Sequence, residues 1–221
     1  MSLAIVIPTK NESERLKTLF PELYNVIPQV DVVIVNTPVP NDTTKQVAEL
    51  YNAKYIENPS GFGKCLSQGL LLCQDHDYVI TMDADHDPNS AKLMYNTLQK
   101  MPETYDLAIG IEQSSRIQRD VVNALMSEML GITQKNPTCG LRCYRGLTIP
   151  HIVPQNPDEW FFIQIQLLHN IIKHGKKMGK KENIVEVPFP PAHHTGITEN
   201  TKFYRLFFTS LLKLWFKEAI L

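Results

Sequence analysis

Five short strand-forming runs alternate with four helical stretches in the first 110 residues, and this alternation confines the chain to an α/β architecture. The runs are Leu3–Ile7, Asp31–Val35, Lys54–Glu57, Asp77–Met82 and Asp106–Ile109. Helical patterns lie at Glu12 to about Ile27, Asp42–Tyr51, Gly61-Phe62-Gly63 to about Gln74, and Ser90–Lys100, with Asn11 and Glu14 spaced as a capping box. Successive strands joined through helices run parallel, so the reading predicts a mostly parallel sheet with helices on both faces.

In such sheets ligands bind at the carboxyl ends of the strands. Asp83-Ala84-Asp85 follows the fourth run directly and places two carboxylates there. Paired carboxylates are hard oxygen donors suited to a divalent cation, and magnesium usually combines one or two of them with substrate phosphates. A nucleoside diphosphate is the partner this chemistry points to. The competing reading is an ordinary Asp/Asn-rich turn over Asp83 to Asn89, since such side chains bond to their own backbone.

The 43% apolar composition suffices for a sizeable core, and 22 basic against 23 acidic residues leave no overall charge for binding nucleic acid. Cys65, Cys73, Cys139 and Cys143 form no Cys-x-x-Cys pair, and a chain of this length needs no disulfide staples, which fits reduced thiols in a cytoplasm. The apolar stretch Leu3 to Ile7 is too short for a signal peptide and lacks a basic leader.

After Gly110 the alternation stops. A helix is expected from about Arg116 to Leu130, then a loop at Thr133 to Thr138, a short segment Cys139 to Tyr144, a buried helix over Asp158 to Lys173, and an edge or returning strand at Glu182 to Val187. From about Asn200 to Leu221 a final helix carries Lys202, Arg205, Thr209, Lys213 and Lys217 along one stripe of an otherwise apolar surface. The stripe interrupts any membrane-spanning run. The helix suits packing on the domain, on a second copy in a homo-oligomer, or in a membrane interface.

Taken in order, Ile7-Pro8-Thr9-Lys10-Asn11-Glu12, Gly61-Phe62-Gly63-Lys64, Met82-Asp83-Ala84-Asp85, Asn136 to Arg145, Val185 to Phe189 and Gly196-Ile197-Thr198 make the chain resemble the family-2 inverting glycosyltransferases of GT-A fold. The polyprenyl (dolichol) phosphate mannose synthase-like members are the nearest in pattern. The resemblance implies one Rossmann-like GT-A domain over residues 1–221. Residues 1–110 would form the nucleotide-sugar half, 111–199 the acceptor half and 200–221 the amphipathic helix.

It further implies that Pro8, Thr9, Glu12, Asn36, Thr37, Gly63, Lys64, Asp83, Ala84 and His193 line the site of a GDP- or UDP-linked sugar. Mg2+ or Mn2+ would be held by Asp83, Asp85 and, as a third ligand, Asp87. Asp85 and Arg142 would be the catalytic pair. The acceptor, a polyprenyl phosphate at the inner face of a membrane, would meet Arg116, Arg119, Cys139 and Arg142. Arginine's planar fork suits phosphate oxygens, and a phosphate acceptor is already ionised, so no strong general base is required.

Two departures from the family pattern stand out. Asn36-Thr37 replaces the paired aspartates usual after the second strand, and His193-His194 lies near the usual place of an arginine. The first motivates an alternative: a degenerate domain that binds a nucleotide sugar or a partner without turnover. A nucleotidyltransferase of similar fold is disfavoured, because no glycine-rich lysine signature marks the first turn.

Overall fold

The computed structural model describes residues 1–58, 60–112, 124–126, 128–158, 162–190, 209 and 212. Its strands are β1 Leu3–Thr9, β2 Asp31–Asn36, β3 Lys54–Glu57, β4 Tyr78–Thr81, β5 Leu107–Glu112, β6 Arg142–Arg145 and β7 Ile184–Phe189. The helices are α1 Ser13–Val26, α2 Thr44–Leu50, α3 Phe62–Leu72, α4 Pro88–Lys100, the single-turn α5 Ile149–Ile152 and α6 Ile163–Lys177. The seven strands form one sheet in the order β3-β2-β1-β4-β6-β5-β7.

β1 is buried along its whole length and pairs in parallel with both β2 and β4, as a strand apolar up to its last residue should between two neighbours. Helix α3 lies close on this central region. A Cβ at Gly69 would stand 2.3 Å from Val6 Cγ1, so glycine is what permits the approach. β7 is one of the two edge strands, parallel to β5, in keeping with the expectation for Glu182–Val187.

The sheet departs from a simple βα series at one place. The short segment Cys139–Tyr144, to which the sequence assigned no element type, supplies a central strand. β6 runs antiparallel to both β4 and β5 and separates them. Its first residue, Arg142, pairs with Thr81 at the last position of β4. An antiparallel strand thereby carries the residues before it, 137–141, to the carboxyl end of β4. Thr81 Oγ1 fastens them by donating to the Gly140 carbonyl at 2.8 Å.

Several boundaries differ for local reasons. The capping box does not form: Asn11 takes a left-handed φ of 57°, the N-cap is Glu12 with no side-chain cap bond, and Glu14 pairs with Lys17 at 2.6 Å. α4 begins at Pro88 because Asp87 caps it, its side chain accepting the Asn89 N–H at 2.9 Å. α6 is displaced toward the C-terminus from the expected 158–173, and Ile163, Ile165, Leu167, Leu168 and Ile171 on it are buried. The expected final helix lies outside the described residues, apart from Thr209 and Leu212.

Candidate active site

Asp83 and Asp85 leave the end of β4 as expected, in a tight turn closed by His86 N–H donating to the Asp83 carbonyl at 3.1 Å. The Asp83 N–H in turn donates to His86 Nδ1 at 2.8 Å, so the ring, 4% exposed, braces the turn from inside. Phe189 packs edge-on to that ring, with centroids 6.1 Å apart. One ligand-type atom from each of Asp83, Asp85 and His86 lies within 4.8 Å of the other two. His86 was not among the expected site residues. Its only sequence signal is its place immediately after the acidic pair.

Gly140 closes the other side. A Cβ there would stand 2.9 Å from Asp83 Oδ2, so the loop before β6 reaches the carboxylate because it carries no side chain at that point. Glu12 faces the same space from the start of α1. Burial pushes its carboxyl above the ordinary value, Asp85 and Asp83 push in the same direction, and Arg15 opposes them. Arg15 Nη1 lies 3.2 Å from Glu12 Oε2 and 3.9 Å from Asp85 Oδ2. The result is three converging carboxylates, with a guanidinium at their margin.

Asp87 does not join them. Its Oδ1 accepts from both the main chain and the side chain of Asn89, at 2.9 and 3.0 Å, which makes it the cap of α4. His86 stands at the third corner of the group, with its Nδ1 lone pair taken by the Asp83 N–H, so in this arrangement its ring supports the turn.

The ends of β1 and β2 form a closed hydrogen-bond network. Thr9 Oγ1 donates to Asn36 Oδ1 at 2.9 Å, and Asn36 Nδ2 donates to Asp42 Oδ2 at 2.8 Å and to Tyr55 Oη at 3.1 Å. Asp42 also accepts the Thr44 N–H at 2.8 Å and its hydroxyl at 2.5 Å. Burial alone would raise the Asp42 carboxyl, but the bonds from Thr44 and Asn36 outweigh it and hold the group below the usual range. Asn36 is fully buried, so its amide braces this corner instead of meeting a base or ribose as expected. Pro8 lies beside Thr9 on β1, both buried, while Thr37 is half-buried with its hydroxyl 3.3 Å from Cys65 Sγ. Gly63, buried, and Lys64, half-buried, sit in the first turn of α3, which follows Gly61 at φ 93°.

Arg142 and Cys139 differ most from expectation. Arg142 is fully buried: Nε donates to the Cys139 carbonyl at 2.8 Å, Nη1 to the Gln164 carbonyl at 2.9 Å, and Nη2 to the Pro137 carbonyl at 2.7 Å. The fork is spent on main-chain oxygens and ties the 137–139 loop to α6, so it does not face an acceptor phosphate. Cys139 Sγ points inward, 3.1 Å from where a Gly110 Cβ would lie, and burial pushes its thiol up to about 12. It is a packed neutral thiol, not a stand-in for an acceptor-binding serine. Arg116, Arg119 and His193 lie outside the described residues.

With this geometry established, the family model described as glycosyl transferase family 2 matches residues 4–138, more than half of the chain. The chain belongs to glycosyl transferase family 2. It is a family-2 glycosyltransferase whose matched region runs from β1 through the acidic turn to the loop before β6. An undecaprenyl-phosphate mannosyltransferase of Micrococcus luteus is 26% identical, the match covering 85% of this chain and 82% of that one. An uncharacterized glycosyltransferase of Synechocystis is 31% identical over 125 residues, 52% of this chain and 38% of its own.

Among solved structures, glucosyl-3-phosphoglycerate synthase from Mycobacterium tuberculosis, in complex with Mn2+, UDP-glucose and phosphoglyceric acid, superposes with a TM-score of 0.75. Identity is 18%, over 97% of this chain and 79% of that one. That likeness shows the GT-A fold expected for the chain. Among the described residues no helix is long and apolar enough to cross a membrane.

Proposed function

We propose that this glycosyltransferase moves a sugar from a nucleoside-diphosphate donor to a polyprenyl phosphate, using Mg2+ or Mn2+ held by Asp83 and Asp85. The observation that carries the reading is the convergence of Asp83, Asp85 and His86 at the carboxyl end of β4, with Gly140 leaving room against Asp83. Two carboxylates at a strand end fit a hard divalent cation such as Mg2+ or Mn2+. The Mn2+ and UDP-glucose bound by the mycobacterial synthase, and the lipid-phosphate substrate in the name of the Micrococcus relative, support the same chemistry.

A cation bound there would neutralise the charge that develops on the departing diphosphate. The chain's own residues do the rest. The His86 ring fixes the turn that aims the two carboxylates, and the buried Arg142 holds the loop that ends at Gly140. An acceptor phosphate oxygen attacks the anomeric carbon as the bond to the donor's β-phosphate oxygen breaks, and the electron pair leaves with the nucleoside diphosphate. The nucleophile is already ionised, so no proton needs removing. With Arg142 committed to carbonyls, Arg116 and Arg119, in the segment after β5, are the arginines proposed to hold the acceptor.

The test is thermal stabilisation by UDP, GDP and their sugar conjugates with Mn2+ and again with a chelator, followed by transfer to a short-chain polyprenyl phosphate. Metal-dependent stabilisation by one nucleotide, with transfer, is the expected result. Stabilisation without transfer to that acceptor or to hydroxyl acceptors would favour a domain that binds without turnover. The bracing role of Asn36, where the family usually places a carboxylate, is the observation that keeps this second reading alive.

A further inference from the structure

We propose that Arg15 is the resident counter-ion of the acidic site, holding Asp85 in the metal-free protein and biasing the site to take a divalent cation together with a diphosphate rather than alone. The inference rests on the metal-dependent reading above. Arg15 stands one helical turn beyond Glu12 on α1, so a single guanidinium bridges Glu12 at 3.2 Å and Asp85 at 3.9 Å. Glu12, Asp83 and Asp85 place up to three negative charges around one space, and the guanidinium cannot shed its proton to relieve a like charge brought near. A bare divalent cation entering at Asp83 and Asp85 therefore meets a permanent positive charge already paired at 3.9 Å with one of its ligands.

A diphosphate entering with the cation reverses that balance. Its negative oxygens offset the added charge and give the arginine fork a new partner. The Arg15 side chain is 42% exposed, which leaves it room to change partners. Coupling of this kind is reciprocal: the nucleotide raises metal affinity by the factor by which the metal raises nucleotide affinity.

The experiment titrates Mn2+ into the full-length protein, by electron paramagnetic resonance, with and without saturating UDP. Wild type, R15Q, R15K and D85N are compared, and melting curves check that each variant folds. R15Q is expected to bind Mn2+ alone about fivefold more tightly, consistent with one charge removed at the margin of a partly solvated site, and to lose a similar factor of the coupling to UDP. R15K, which keeps the charge, is expected to stay near wild type. Unchanged Mn2+ affinity in R15Q, or equal shifts in R15Q and R15K, would overturn the role of Arg15. Wild-type Mn2+ affinity in D85N would overturn the metal site itself, and Arg15's role with it.

Discussion

The two ends of the sheet each hold carboxylate chemistry, a single buried aspartate at one and a group of three carboxylates at the other, and they are built on opposite principles. At the amino end of β5, Asp106 is 3% exposed and every direction around it is filled. Lys180 Nζ lies at 2.6 Å, Thr148 Oγ1 donates at 3.1 Å, and Asn183 Nδ2 donates at 3.3 Å. One buried charge meets one cation and two neutral donors. At the carboxyl end of β4, Asp83, Asp85 and Glu12 converge with Arg15 at their edge, and the carboxyl of Glu12 is pushed up by burial and by the other two. A satisfied buried charge fixes the fold, whereas an excess of like charge held in place by the fold is a site prepared for something positive.

The contrast is most sharply tested by exchanging charge for amide. Asp85→Asn is expected to lower transfer by about 10³-fold, comparable to removing a principal electrostatic element from an active site, while the melting temperature stays level or rises as repulsion is relieved. Initial rates and thermal melts on the same preparation check both halves. A stability loss with activity retained would place Asp85 in the structural class with Asp106.

Asp106→Ala is the reciprocal case. It leaves the half-buried Lys180 and the buried Thr148 and Asn183 without their shared acceptor and is expected to cost about 3 kcal/mol of stability, near 9 °C in melting temperature for a domain of this size, with Mn2+ affinity unchanged. Arg142→Lys belongs on the same side. It loses the fork that serves three carbonyls and is expected to destabilise by about 2 kcal/mol in urea unfolding, while KM for a polyprenyl phosphate stays within about twofold. A KM that rose tenfold instead would return Arg142 to the acceptor.

Gly140→Ala should leave the fold nearly intact and displace the Asp83 carboxylate. A metal-supported rate lower by about tenfold, partly recovered at high Mn2+, is the expected signature.

The smallest effect concerns His174, stacked on His151 with ring centroids 4.8 Å apart. Burial lowers its proton affinity, His151, Lys180 and Lys177 lower it further, and Asp106 works against them. A base with a depressed folded value contributes stability above its unfolded value, near 6.5, and loses it as pH falls through the folded one. His174→Gln should therefore flatten the decline in urea midpoint between about pH 7 and pH 5, and an unchanged slope would remove His174 from that role.

Most of the first half of the fold was legible in the sequence because its signals are local: apolar runs such as Leu3–Ile7, and glycines before helices such as Gly61. The placement of Asp83 and Asp85 at a strand end followed from the same periodicity. What escaped was non-local. Arg142 carries a phosphate-binding side chain on a four-residue strand, and only the pairing of β6 with β4 shows that its guanidinium is buried beneath the loop. Asp87 is the local exception: it looks like a third ligand in an acidic run, yet Pro88 and Asn89 directly after it make it a cap. Asn36 and Asp42 are six residues apart across a loop rich in proline, and their bond appears only when that loop closes.

The antiparallel insertion of β6 also bears on the order in which the molecule can assemble. β5 has only β6 and β7 as neighbours, so residues 1–110 hold four strands of a continuous sheet and a fifth with no partner among them. Tyr78 meets Arg145, 67 positions further along the chain, only after a loop closure whose entropy must be met before the pairing returns anything. The parallel strands β1 to β4 can form early from neighbouring segments. The acidic turn gains its wall at Gly140 only when the last central strand slots in, which makes the site a late product of folding and ties its appearance to completion of the sheet.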